Sequence, residues 1–123
     1  MSKYVHRFYT AVSVLAGNGH IKQRLVRAYE DNLVFIDDDD MPKALRSSFA
    51  DLGRLMSNVD PLNGEGPIRA SVRKMSIDEA DDCAHRIVDL YGDMMRIIDN
   101  AQEALPVALE DQTTVTPVLV KAN

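Results

Sequence analysis

The sequence predicts an all-α protein, an antiparallel four-helix bundle with a long loop before its last and longest helix. Three observations carry that prediction. Apolar residues recur at helical steps of three or four along most of the chain. Glycine and proline clusters fall between those periodic stretches rather than within them. Leu, Ile, Val, Met and Ala must supply most of the core, because there is no Trp and only four Tyr and three Phe.

The last helix is the best specified. Ser76-Ile77-Asp78-Glu79 has the form of a capping box, in which serine and glutamate each satisfy the other's backbone N–H. Asp78, Glu79, Asp81 and Asp82 lie near the start, where the helix dipole favours negative charge. Ile77, Ala80, Ala84, Ile87, Val88, Tyr91, Met95, Ile98 and Ala101 then form one apolar stripe, with Leu90, Met94, Ile97 and Leu105 beside it. Pro106 is expected to end this helix, and Gly92 weakens its middle by about 1 kcal/mol relative to alanine. The wide apolar arc from Leu90 to Ile98 suggests enclosure by other helices, or a homodimer built along the Ser76–Leu105 helix.

Upstream, Tyr4 to Ala16 reads as helix one, burying Val5, Phe8, Tyr9, Val12, Leu15 and Ala16, and stopped by Gly17-Asn18-Gly19. Helix two is expected from about His20 to Ile36, with Ile21, Leu25, Ala28, Tyr29, Leu33 and Ile36 facing inward. The short link makes a helical hairpin of the two. Asp40 is the expected cap of helix three, with Pro42 in its first turn. That helix spans about Pro42 to Asn58 and buries Leu45, Phe49, Leu52, Leu55 or Met56, and Val59. Asp60-Pro61, Asn63-Gly64 and Gly66-Pro67 punctuate the long connection that follows. Ile68 to Met75 fits either a strand alternation or a short fifth helix starting at Pro67, and the helix is preferred because nothing else offers a strand to pair with. Residues 1–105 therefore read as one domain, and 106–123, polar and threonine-rich, as a flexible tail.

Composition narrows the function classes. At 123 residues the chain can bury a core without staples, and its single cysteine, Cys83, excludes an internal disulfide framework. A reducing cytoplasm is the simple setting, and size and compactness suggest a bacterial protein. Lys3 and Arg7 ahead of Ala11–Ala16 have the outline of an export signal, but that apolar run is short and contains polar residues. No apolar run approaches a membrane span. The net charge of −5 disfavours a general nucleic-acid binder. The charge is nevertheless segregated: five basic residues and no acid precede Glu30, and six acids occupy the eleven positions from Glu30 to Asp40.

Three candidate sites follow. The first is Gly64-Glu65-Gly66 with Arg69, Arg73 and Lys74. Glycines permit close approach, Pro67 opens a helix whose first N–H groups face outward, and three cations follow without an intervening acid. An anionic or protein partner fits there. The competing structural account has the glycines merely turning the chain and the arginines pairing with aspartates of neighbouring helices. The second is a basic face made by Lys3, Arg7, Lys22, Arg24 and Arg27, on a helix, glycine turn and helix that share the outline of a DNA-binding helix-turn-helix. The residue spacing around Gly17 and Gly19 does not fit that motif, helix two also carries Glu30 and Asp31, and a solvated charged face is the preferred account. The third is Asp82 and His85 at i, i+3, the spacing of carboxylate-bridged metal bundles. Such bundles need the same unit from a second helix, and none exists here.

Asp37 to Asp40 lacks the ligand spacing and glycine of a calcium loop. No phosphate-binding glycine motif, nucleophile elbow or cysteine–base pair is present. The sequence thus points to a small non-enzymatic interaction or regulatory protein with an unidentified partner and no cofactor. A nucleic-acid-associated regulator, and a metal protein or enzyme using the Asp82/His85 strip, are the alternatives.

Overall fold

The computed structural model describes the backbone of residues 3–109 and the side chains of residues 4–101. Among the described residues the chain is all-helical, without strands. It has five α-helices: α1 (Lys3–Leu15), α2 (Ile21–Glu30), α3 (Arg46–Leu55), α4 (Pro67–Lys74) and α5 (Ile77–Leu109). Three short 3-10 turns, Leu33–Phe35, Asp38–Asp40 and Lys43–Leu45, fill the connection from α2 to α3. No described helix is long and apolar enough to cross a membrane.

The described residues fall into two compact units, divided within α5 after Gly92. The first, up to Gly92, holds most of the core. In α1, Val5, Phe8, Ala11 and Leu15 are buried at the i, i+3, i+4 positions that face one side of a helix. Tyr9, expected inside, is 55% exposed, because its position is one step off that stripe; its ring lies 6.3 Å from that of Tyr91 instead. Packing of α1 on α2 closes the hairpin, and the Phe8 and Phe49 rings, tilted with centroids 5.9 Å apart, join α1 to α3. Leu25, Ala28, Leu33, Leu52, Met56 and Ile87 are fully buried and add to the interior.

Several expected boundaries shift. The helix expected to run to Ile36 ends at Glu30, and Leu33–Phe35 is a separate 3-10 turn. The tighter turn still buries Leu33 and Ile36, and Asn32, itself buried, donates Nδ2–H to the Ala28 carbonyl at 3.2 Å. Helix three begins four positions later than expected. Pro42 is extended (φ −51°, ψ 137°), so it precedes the helix rather than opening it. Asp40 does not cap α3. It belongs to its own 3-10 turn, and Arg46 braces that segment by donating to the carbonyls of Met41 and Asp39 at 3.1 and 3.0 Å. The Ile68–Met75 ambiguity resolves as helix, with Pro67 in its first turn.

The capping box before α5 is formed as expected: Ser76 N–H donates to Glu79 Oε1 at 2.8 Å, and Glu79 N–H to Ser76 Oγ at 3.0 Å. Ala80, Ala84, Ile87 and Leu90 are buried, whereas Ile77 and Val88 are about half exposed. In the second unit α5 continues past Pro106 to Leu109, so the proline does not end it. A proline removes one backbone donor and crowds one carbonyl, which a helix close to its end tolerates by bending. Asp93 and Arg96 pair on its surface. The tail beyond Leu109 lies outside the described residues.

Candidate functional site

The first candidate segment is built by a tight turn and a short helix. Asn63 and Gly64 both take positive φ (52° and 80°), as a type I′ turn requires, and Glu65 N–H closes it on the Leu62 carbonyl at 3.1 Å. Glycine suits the second of these positions, and nothing lies within 4 Å of where a Gly64 Cβ would stand. The Glu65 side chain reinforces the turn, accepting Leu62 N–H at 3.3 Å. Gly66 then sits at the N-cap of α4 without a side-chain cap.

Helix α4 is amphipathic over its two turns. Ile68, Ala70, Ser71 and Val72 are buried. Ser71 Oγ accepts Val59 N–H at 3.0 Å, which satisfies a buried hydroxyl and pins the long connection to the helix. Arg69 and Arg73, one turn apart, are left exposed. Both are paired, but with glutamates rather than the expected aspartates. Arg73 meets Glu65 at two points, Nε–Oε1 at 3.2 Å and Nη2–Oε2 at 2.6 Å. Arg69 meets Glu30, at the end of α2, through Nη2 at 3.0 Å and Nε at 3.2 Å. The hydrogen bond from Arg73 holds the Glu65 carboxyl below its ordinary range, and both guanidinium groups are held more firmly protonated by their carboxylates. Lys74 does not join them. It lines a different cavity.

The basic residues of the second candidate divide among several tasks. Arg24 donates to the carbonyls of Gly19 (2.8 Å) and Leu15, and Arg27 to that of Asn18 (3.2 Å). These are the carbonyls at and just beyond the end of α1, so the two arginines act as its C-terminal cap from the next helix. Arg7 stacks on the exposed Phe35 ring, 4.9 Å from its centroid. Lys22 Nζ donates to the Arg73 carbonyl at 3.3 Å, near the end of α4. The Lys3 side chain lies outside the described residues.

Lys22 and Arg27 thereby meet the α4 arginines, a juxtaposition that sequence reasoning did not foresee. An open groove of about 660 Å³ runs between α2 and α4. Lys22, Gln23, Val26 and Arg27 line it from α2, Arg69, Val72 and Arg73 from α4, and Glu65 from the turn. Four cations face one carboxylate across two valines. The signal lay in no local motif, because the α2 and α4 residues are more than forty positions apart.

The other features are self-contained. A cavity of about 420 Å³ is bordered by Lys74, Met75, Asp78, Asp82, Cys83 and Arg86, among others. Cys83 is buried there, and burial pushes its thiol up, away from nucleophilic use. Asp82 pairs with Arg86 at 3.2 Å, while His85 donates Nδ1–H to the Asp81 carbonyl at 2.9 Å and lies 3.4 Å from the Asp81 carboxylate. The two residues proposed to share a metal are thus turned to different partners. That backbone bond, followed by the charges of Asp81, Asp89 and Asp82, raises the His85 pKa. No group of three or more His, Cys, Asp or Glu suited to a metal ion occurs among the described residues. Helix two's His20 plays a capping role that its position did not advertise: its Nδ1 accepts Lys22 N–H at 3.1 Å. No protein-family model, curated protein or solved structure matches the chain.

Proposed function

We propose that this is a small non-enzymatic interaction protein that holds an anionic segment of a partner protein in the groove between α2 and α4. The observation that carries this reading is the lining itself. Lys22, Arg27, Arg69 and Arg73 stand around the half-buried Val26, so a segment with a negative group beside an apolar residue finds both complements. The rest of the chain carries excess negative charge, against which this cluster of four cations stands out. A polyanion such as nucleic acid is less well served, since Arg24 of the basic face spends its donors on the carbonyls of Gly19 and Leu15 at the end of α1. The helical packing we propose around the groove is an antiparallel four-helix bundle, with α4 as a short fifth helix on the long connection. A cytoplasmic setting goes with a lone buried thiol.

Reversing both α4 charges (Arg69→Glu and Arg73→Glu together) tests this. Capture of the partner from native lysate, identified by mass spectrometry, should fall more than about tenfold. The thermal melting temperature should stay close to that of the unaltered protein, because exposed ion pairs add little stability. A fall in melting temperature with capture unchanged would assign the arginines a structural role and overturn the reading.

A second reading has its own observation. Tyr9 and Val88 are exposed, and Tyr9 lies against Tyr91 one turn along α5 from Val88. This patch supports a homodimer along α5, which a solution mass would reveal.

A further inference from the structure

Both α4 arginines in the groove are already engaged by carboxylates, and this restricts what can bind them. Arg73 is held by Glu65 in a two-point pair, and Arg69 by Glu30. An incoming carboxylate would exchange for a resident one without adding an ion pair. A phosphoryl ester differs: near neutral pH it carries about −1.5 to −2 charge and offers three acceptor oxygens. Arg69 and Arg73 are i, i+4 on one helix, roughly 6 Å apart at their Cβ atoms, so one such group can accept from both. Lys22 and Arg27 from α2 bring the cations to four against the two resident carboxylates, Glu65 and Glu30, a surplus of two that matches a dianion.

Building on the groove reading above, we infer that the anion is a phosphorylated side chain of a partner protein, and that it enters by displacing Glu65 from Arg73. Glu65 is the carboxylate that lines the groove; Glu30 does not. Its turn remains closed without its side chain, through the Leu62–Glu65 backbone bond. Arg73 thus passes from an internal carboxylate to an external phosphoryl group, while the half-buried Val26 receives the flanking residue.

The test is a nuclear magnetic resonance titration of the full chain and of its Glu65→Gln and Glu65→Ala variants. Three probes are used: a capped alanine–phosphoserine–alanine peptide, its glutamate counterpart, and inorganic phosphate. The phosphoserine peptide should move the side-chain Nε–H signals of Arg69 and Arg73, and in the unaltered protein also the Glu65 carboxyl carbon. Removing an exposed competing pair should tighten its binding about two- to sixfold in both variants. Glutamate peptide and inorganic phosphate should each bind more weakly. Equal binding of the two peptides overturns the phosphoryl assignment, and inorganic phosphate binding as well as the peptide overturns the protein segment. Unchanged affinity in both variants, with the Glu65 carbon unmoved, overturns the displacement. If the phosphoserine peptide fails to bind while the double arginine reversal still loses its cellular partner, this inference falls and the groove reading stands. If that reversal keeps its partner, the groove reading falls as well.

Discussion

Glu65 and His85 both titrate away from their ordinary values, in opposite directions and with opposite consequences. The Arg73 hydrogen bond lowers the Glu65 pKa, so its stabilising contribution is present above the ordinary glutamate range and is lost as pH falls through the lowered value. The His85 pKa is raised, so its contribution is complete below the ordinary histidine range and disappears as pH rises through the higher value. Carbon-detected titration of Glu65 should therefore show a low midpoint that returns toward normal when Arg73 is replaced by Gln. The His85 ring should titrate above a free histidine, and Asp81→Asn should bring it down. At this scale sequence reading did part of the work. It identified Arg69 and Arg73 as cations near a glycine turn. It assigned the wrong counter-ions, because Glu65 and Glu30 become partners through a turn and a helix-helix approach that periodicity cannot register.

Helix boundaries were legible where side chains mark them. The Ser76–Glu79 box is the clearest, with both of its reciprocal bonds formed. Ser76→Ala should cost about 1 kcal/mol, read as a lowered urea midpoint with an unchanged slope. Pro67 likewise opens α4 as its fixed φ allows. Boundaries set by competition between turn types were not legible. The ends read as helix, up to Ile36 and again from Pro42, fold instead with the aspartates between them into three 3-10 turns, and Leu33, Ile36, Met41 and Leu45 are buried along this tighter path. Pro106 misled in the other direction, since a single proline does not stop a helix whose backbone can bend around it. The ends of α1 and α2 show a third case. His20 caps with an imidazole, and Arg24 and Arg27 reach back to cap the helix before their own. Capping lists favour small polar residues, so neither device stands out in a sequence.

For the molecule as a whole, apolar spacing gave a sound account of class and core. Of the stripe assigned to the first hairpin, Val5, Phe8, Leu15, Leu25, Ala28, Tyr29, Leu33 and Ile36 are inside. Phe8, fully buried and packed on Phe49, ties α1 to α3. Phe8→Ala should therefore destabilise by about 3–5 kcal/mol, measurable as a large fall in the denaturation midpoint. The groove was less accessible, because it exists only once α4 lies beside α2. Its elements were visible separately, as a basic stretch before Glu30 and another after Gly66, and only packing made them one surface.

The turn at Asn63–Gly64 has a bearing on rates. Its backbone is already in the left-handed geometry and closed by its own hydrogen bond, so exposing Arg73 requires no loop to open. Releasing Arg73 asks only that the half-buried carboxylate rotate about its own side-chain bonds once its hydrogen bonds to Arg73 and Leu62 N–H break. On the displacement proposed above, a ligand would therefore meet an arginine that is released by side-chain rotation rather than by loop rearrangement, and its arrival should depend on diffusion and ionic strength; a binding rate that falls as salt is added checks this.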